Sequence, residues 1–140
     1  MGNQTFKIMT NSTTLNEVNK IQVILKFTYG LVPIVAGLDK FTNLLTNWAA
    51  YVPEPIAGIL PITPPTLMMV VGVIEIAAGV IVLRKTILGA YIVAAWLILI
   101  AINLLILGSF DIAVRDVVMA IGAFSLAKIT EATAGRVRTA

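Results

Sequence analysis

The feature that most constrains this chain is a stretch with no charge at all. Between Lys85 and Asp111 no acidic or basic side chain occurs, and Thr86–Leu107 within it is 22 residues of almost continuous apolar sequence. At ~1.5 Å of helical rise per residue, that stretch covers the ~30 Å hydrocarbon core of a bilayer. Water offers no place for such a segment, so lipid is the solvent. The composition agrees: 59% of the residues are hydrophobic, 12% are charged, and the mean hydropathy is +0.97. Soluble domains carry roughly 25% charge and set their apolar residues in stripes.

Three further segments read as spans. Thr14-Leu15-Asn16-Glu17 has the form of a capping box, a Thr N-cap with Glu three positions on. It predicts a helix start there, leading into a first span over residues 23–45 with Pro33 as its expected kink. Residues 46–65 hold five prolines, Gly58, Trp48 and Tyr51. They predict an interfacial loop with a short amphipathic turn, or a partly re-entrant element. Pro64 and Pro65 suit the first turn of a second span over 66–83. Arg84-Lys85 marks a tight turn, the third span covers 86–107, and the fourth covers 112–129. Residues 1–20 form a polar segment without the apolar core of a signal peptide, and 131–140 a polar tail expected to fray. The sequence thus predicts an all-α membrane protein, a four-transmembrane-helix bundle.

Charge placement sets its orientation. Lys7, Lys20, Lys26, Arg84, Lys85, Lys128, Arg136 and Arg138 fall on one face, leaving Lys40 and Arg115 for the other. The positive-inside rule makes the first face cytoplasmic, N-in and C-in, in a prokaryotic inner membrane. The net charge of +3 is therefore no sign of nucleic-acid binding. The two Asn-x-Thr sequons, at Asn3 and Asn11, fall on the wrong side for glycosylation, and Phe6 spoils a myristoylation start. The chain has no cysteine and no histidine. That excludes disulfides, iron–sulfur ligation, and histidine-held haem or metal.

The candidate site consists of charges inside spans, where each costs ~2.5–3.5 kcal/mol at the helix centre unless it meets a partner or a cavity. Asp39 and Lys40 end the first span, Arg115 and Asp116 open the fourth, Asn103 lies at matching depth in the third, and Glu75 is deeper in the second. Arg115–Glu75 with Lys40–Asp116 is one pairing, and Asp39–Arg115 an alternative. Such a network can serve only to fix helix against helix. It can also line an outward-facing pocket for a quinone head group, a small anion or a proton, with Glu75 as its central residue. Gly72 and Gly79 flank Glu75 at i−3 and i+4 and read as a close-packing face. Tyr91 and Trp96 read as lipid-facing or packed.

Two runs carry a family resemblance. Gly30-Leu31-Val32-Pro33-Ile34-Val35-Ala36-Gly37-Leu38-Asp39-Lys40-Phe41 resembles the first-helix signature of DoxX-like membrane proteins. Gly72-Val73-Ile74-Glu75-Ile76-Ala77-Ala78-Gly79 resembles their second-helix pattern, and Arg115-Asp116 fits their fourth. The resemblance implies a four-helix membrane subunit of a quinone-linked electron-transfer complex, with quinone as its cofactor and other membrane subunits or further copies of itself as partners. It also implies Asp39, Lys40, Glu75, Arg115 and Asp116 as the family's polar positions. Two other functions fit the residues: a non-catalytic accessory subunit of a larger assembly, and a small carrier or channel acting as an oligomer.

Overall fold

The computed structural model describes residues 2–137. Residues 138–140 of the expected frayed tail, with Arg138, lie outside the described residues, as do the side chains of Asn3, Phe6, Lys7, Asn11 and Arg136. Every regular element among the described residues is helical: α1 (Gly2–Thr42), a 3₁₀ turn (Trp48–Tyr51), α2 (Glu54–Ile59), α3 (Pro64–Arg84), α4 (Thr86–Leu107) and α5 (Phe110–Val137). Three segments are long and apolar enough to cross a membrane: Ser12–Thr42 of α1, all of α3 and all of α4. α5 is also long, but Asp111, Arg115 and Asp116 occupy its first two turns.

Helix ends follow local chemistry with one exception. Thr63 caps α3 by accepting from the Thr66 amide, and Pro64 and Pro65 fill the first turn, where a missing N–H costs nothing. α4 ends at Gly108 in the left-handed conformation, φ 84°. The exception is α1, which starts at Gly2 and runs through the capping-box residue Thr14 without a break. An N-cap is worth only about 1 kcal/mol. With no Gly or Pro between Gly2 and Gly30, nothing stops a helix already nucleated.

The long helices pack in a ring: α1 against α3, α3 against α4, α4 against α5, and α5 back against α1. The α1–α3 seam rests on paired glycines. A Cβ placed on Gly37 would lie 2.5 Å from the Gly72 carbonyl oxygen, and one on Gly72 would lie 2.6 Å from that of Gly37. Two turns away, a Cβ on Gly79 would strike the Gly30 carbonyl. Because both pairs are seven residues apart on each helix, the two backbones run antiparallel in direct contact. The α3–α4 corner works similarly, since a Cβ on Gly89 would collide with the Val82 backbone.

The interior is made of small residues and the exterior of large ones. Ala78, Ala90, Ala123 and Ala127 are buried together with Val82, Val93 and Leu126, while Ile24, Val32, Val35, Val114, Ile121 and other large apolar residues are exposed. In water such a surface aggregates. In lipid, where burial in protein offers apolar groups no gain over burial in acyl chains, helices associate by close backbone approach instead. Gly37→Val is therefore expected to lower stability in detergent by about 2 kcal/mol through overpacking. Gly58→Ala, at a position with nothing near its added Cβ, should leave the thermal midpoint unchanged. Equal midpoints for the two variants would remove the seam from the account.

Candidate functional site

The polar site begins where α1 stops. Asn43 takes a left-handed turn, φ 50°, and its amide donates to the Asp39 carbonyl at 2.7 Å. The Asp39 carboxylate collects the donors that this turn exposes. It accepts from the amides of Leu44 at 3.0 Å and Leu45 at 3.1 Å, from the Thr42 hydroxyl at 3.1 Å, and from the Trp48 indole N–H at 2.7 Å. Asp39 thus folds the following segment back across the end of the bundle. On the other side of that segment the Asn103 amide donates to the Tyr51 carbonyl at 3.0 Å.

Lys40 comes next and turns inward. Its Cβ sits in the gap left by Gly72, where an added methyl would lie 3.2 Å away. From there its ammonium reaches Glu75, one helical turn further along α3, at 2.6 Å. The Lys40 and Glu75 side chains are only 4% and 8% exposed. Trp48 completes the arrangement, with the Lys40 nitrogen 3.7 Å from its ring centroid. Desolvation of two charges costs several kcal/mol per ion. A short charge-assisted bond and a desolvated cation–π contact, the latter ~2 kcal/mol, offset it.

The pairings expected from sequence do not form. Neither Arg115–Glu75, Lys40–Asp116 nor Asp39–Arg115 is an ion pair among the described residues; Glu75 takes Lys40, and Asp39 takes backbone amides and an indole. The reason lies in helical phase. Residues 115 and 116 are ~100° apart around a helix, so the two cannot both turn fully inward. Asp116 shares the buried face of α5 with Ala113, Ala120 and Ala123, while Arg115 is exposed. Asp116 is 7% exposed, with no hydrogen-bond or ion-pair partner among the described residues.

Lys40, Glu75, Arg115 and Asp116 meet around one cavity of about 480 Å³, walled by Tyr29, Pro33 and Ala36 of α1, Ala78 of α3, Val93, Leu97, Ile100 and Leu104 of α4, and Met119 of α5. A smaller cleft of about 190 Å³ continues past the ion pair toward Leu67, Met68 and Asn103. Trp96, expected to face lipid or pack, lines both, and its indole N–H is buried with no acceptor among the described residues. Trp48 and Trp96 are the site residues that sequence reasoning passed over. Trp48 follows the Asp39-Lys40 pair closely along the chain, but only the turn at Asn43 brings it back over Lys40.

A separate polar cluster closes the other end. Tyr91 donates to Glu131 at 2.8 Å, Lys128 donates to Glu131 at 3.0 Å, and Gln22 donates to Thr130 at 3.2 Å. The Lys128 hydrogen bond, then that of Tyr91, hold the Glu131 carboxyl below the usual carboxylate range. Among the described residues no three acidic side chains converge as a metal ion requires. Around the cavity stand the Trp96 indole, the Arg115 guanidinium, the Asp116 carboxyl group, with no hydrogen-bond or ion-pair partner among the described residues, and apolar walls. That set suits hydrogen bonding to a polar head and proton exchange with it, rather than nucleophilic chemistry.

No protein-family model matches this chain, and no curated protein or solved structure matches it.

Lys40→Met leaves Glu75 buried without a cation and is expected to cost about 3–5 kcal/mol. The double variant Lys40→Met with Glu75→Leu should recover most of that loss. Denaturant unfolding in detergent measures both, and a double variant as unstable as the single one would contradict the assignment.

Proposed function

We propose that this chain is a four-helix integral membrane protein, N-in and C-in, that binds the ring of a lipid-soluble quinone in its interior cavity as a subunit of a quinone-linked electron-transfer complex. The observation that carries the reading is that Trp96, whose buried indole N–H has no acceptor among the described residues, and Asp116 line the same cavity. A buried donor without an acceptor costs about 1–3 kcal/mol. A quinone oxygen is a fitting acceptor, and the 480 Å³ volume falls within the roughly 300–1,000 Å³ typical of small-molecule pockets. The resemblance of the Gly37, Glu75 and Arg115 motifs to DoxX-like proteins supports the same class.

The parts divide as follows. Trp96 donates to a ring oxygen, and Asp116 stands within the cavity to exchange a proton. The Lys40–Glu75 pair holds the polar end of the wall. A bound quinone supplies two-electron, two-proton redox chemistry. With neither cysteine nor histidine, the chain contributes binding, orientation and proton exchange, and electron delivery falls to a partner subunit. Lys20, Lys26, Arg84, Lys85 and Lys128 lie together at the other end from Lys40 and Arg115 if each long helix spans once, which supports the cytoplasmic placement of both termini.

A second reading is an accessory subunit without ligand. It is favoured by Asp39 and Lys40, whose charges find all their partners inside the chain. Fluorescence separates the two, because the chain's two tryptophans both line the cavity. Titration of a decyl-tailed benzoquinone into lipid nanodiscs holding the protein is expected to quench emission saturably. Trp96→Phe, followed through Trp48, should weaken the affinity about fivefold, the loss of one hydrogen bond. Linear quenching without saturation would leave only the accessory reading. Reporter fusions at both ends test the orientation, with cytoplasmic signals expected from each.

A further inference from the structure

We infer that the ligand of the cavity reaches it sideways from the bilayer, through a portal between α1 and α5, and that its site therefore selects a molecule with a membrane-embedded apolar tail over a water-soluble one of the same ring. The inference rests on the reading of the cavity as a quinone-ring site and adds how the site is reached and what it selects.

Several sides of the cavity are closed among the described residues. The end beyond α1 is covered by residues 43–53, which Asp39 grips at Leu44, Leu45 and Trp48 and Asn103 grips at Tyr51. The α1–α3 seam is shut by backbone contact at Gly37–Gly72 and Gly30–Gly79. At the opposite end the Tyr29 hydroxyl lies against Gly122 so closely that a Cβ there would overlap it, and Gln22–Thr130 ties the same two helices beyond it. Between the main cavity and the smaller cleft stand Lys40, Glu75, Trp48 and Trp96, which line both.

The opening lies along the stretch of the α1–α5 seam beyond Tyr29 and Gly122. There the cavity is lined by Val32 of α1 and Met119 of α5, which are nevertheless 55% and 38% exposed. Residues that both line a cavity and face the surroundings mark its mouth. This mouth is apolar on both sides and sits in the hydrophobic belt of α1, between Leu31 and Val35, both exposed. Arg115 stands at its outer rim, exposed and with no ion-pair partner among the described residues. A ring held at Trp96 and Asp116 would send a tail out between Val32 and Met119 into acyl chains, where each methylene gains ~0.8 kcal/mol over water.

The absence of native cysteine permits a direct test. Met119→Cys and, separately, Val32→Cys are reconstituted in nanodiscs and labelled with a bulky maleimide. Val114→Cys on the exposed face of α5 and Leu99→Cys at the mouth of the smaller cleft serve as controls. The time course of tryptophan quenching by decyl-tailed benzoquinone is then followed. Labels at 119 and 32 are expected to slow association about tenfold, and bound quinone should slow the labelling of both. Labels at 114 and 99 should do neither. The tail-less benzoquinone of the same ring should bind at least about tenfold more weakly. Undisturbed association with a labelled portal, or slowing by the label at 99 instead, overturns the portal while leaving the ring site in place. No saturable quenching by any unlabelled variant overturns both. Two portal variants guard against one that fails to fold, which circular dichroism would reveal.

Discussion

The interior of this protein depends on how closely α1 and α3 approach each other. Where Gly37 meets Gly72 and Gly30 meets Gly79, no side chain separates the helices, and each carbonyl occupies space that a Cβ would need. Lipid gives apolar side chains no reason to hide from it, so this surface-to-surface contact is the main attraction available. It also sets a register. With the two glycine pairs in contact, Lys40 has only the Gly72 gap to enter, and Glu75 is the group that waits one turn beyond.

The buried ion pair is a consequence of that register and a condition for the rest of the site. Two charges removed from water are tolerable only when well joined, and 2.6 Å with an indole ring over the ammonium is such a junction. Trp48 can be that ring because Asp39 holds its N–H and turns the chain after Thr42. The outer cover of the cavity, its polar wall and the end of α1 are thus one hydrogen-bonded unit. Asp116 and Trp96 stand outside it, neither with a hydrogen-bond partner for its buried polar group among the described residues, which is why the cavity reads as a place for a further molecule.

The fold was largely legible along the chain. The uncharged run after Lys85 coincides with α4, Pro64 and Pro65 with the start of α3, and the Pro-rich segment with short helical pieces rather than a long helix. These agree because helix length and breaker residues act locally. The start of α1 was misplaced by the same kind of reasoning, since a cap signal at Thr14 is too weak to interrupt an otherwise uninterrupted helix. At the site, composition was legible and connectivity was not. Lys40, Arg115 and Asp116 were recognisable as costly charges in one layer and Glu75 as a deeper acid, yet every pairing drawn from depth was replaced.

By itself the sequence marked the helices apolar enough to cross a membrane, their ends, and the layer in which charge would collect, because hydropathy, proline and the energetic cost of intramembrane charge are properties of residues and their neighbours along the chain. Only the tertiary structure decided which charges meet. That choice follows from helical phase, which turns Asp116 inward and Arg115 outward. It follows equally from the glycine contacts, which place one backbone against another at a distance no linear pattern encodes. The same packing decided that Trp96, which the sequence leaves as lipid-facing or packed, lines a cavity, and that the α1–α5 seam is where that cavity opens.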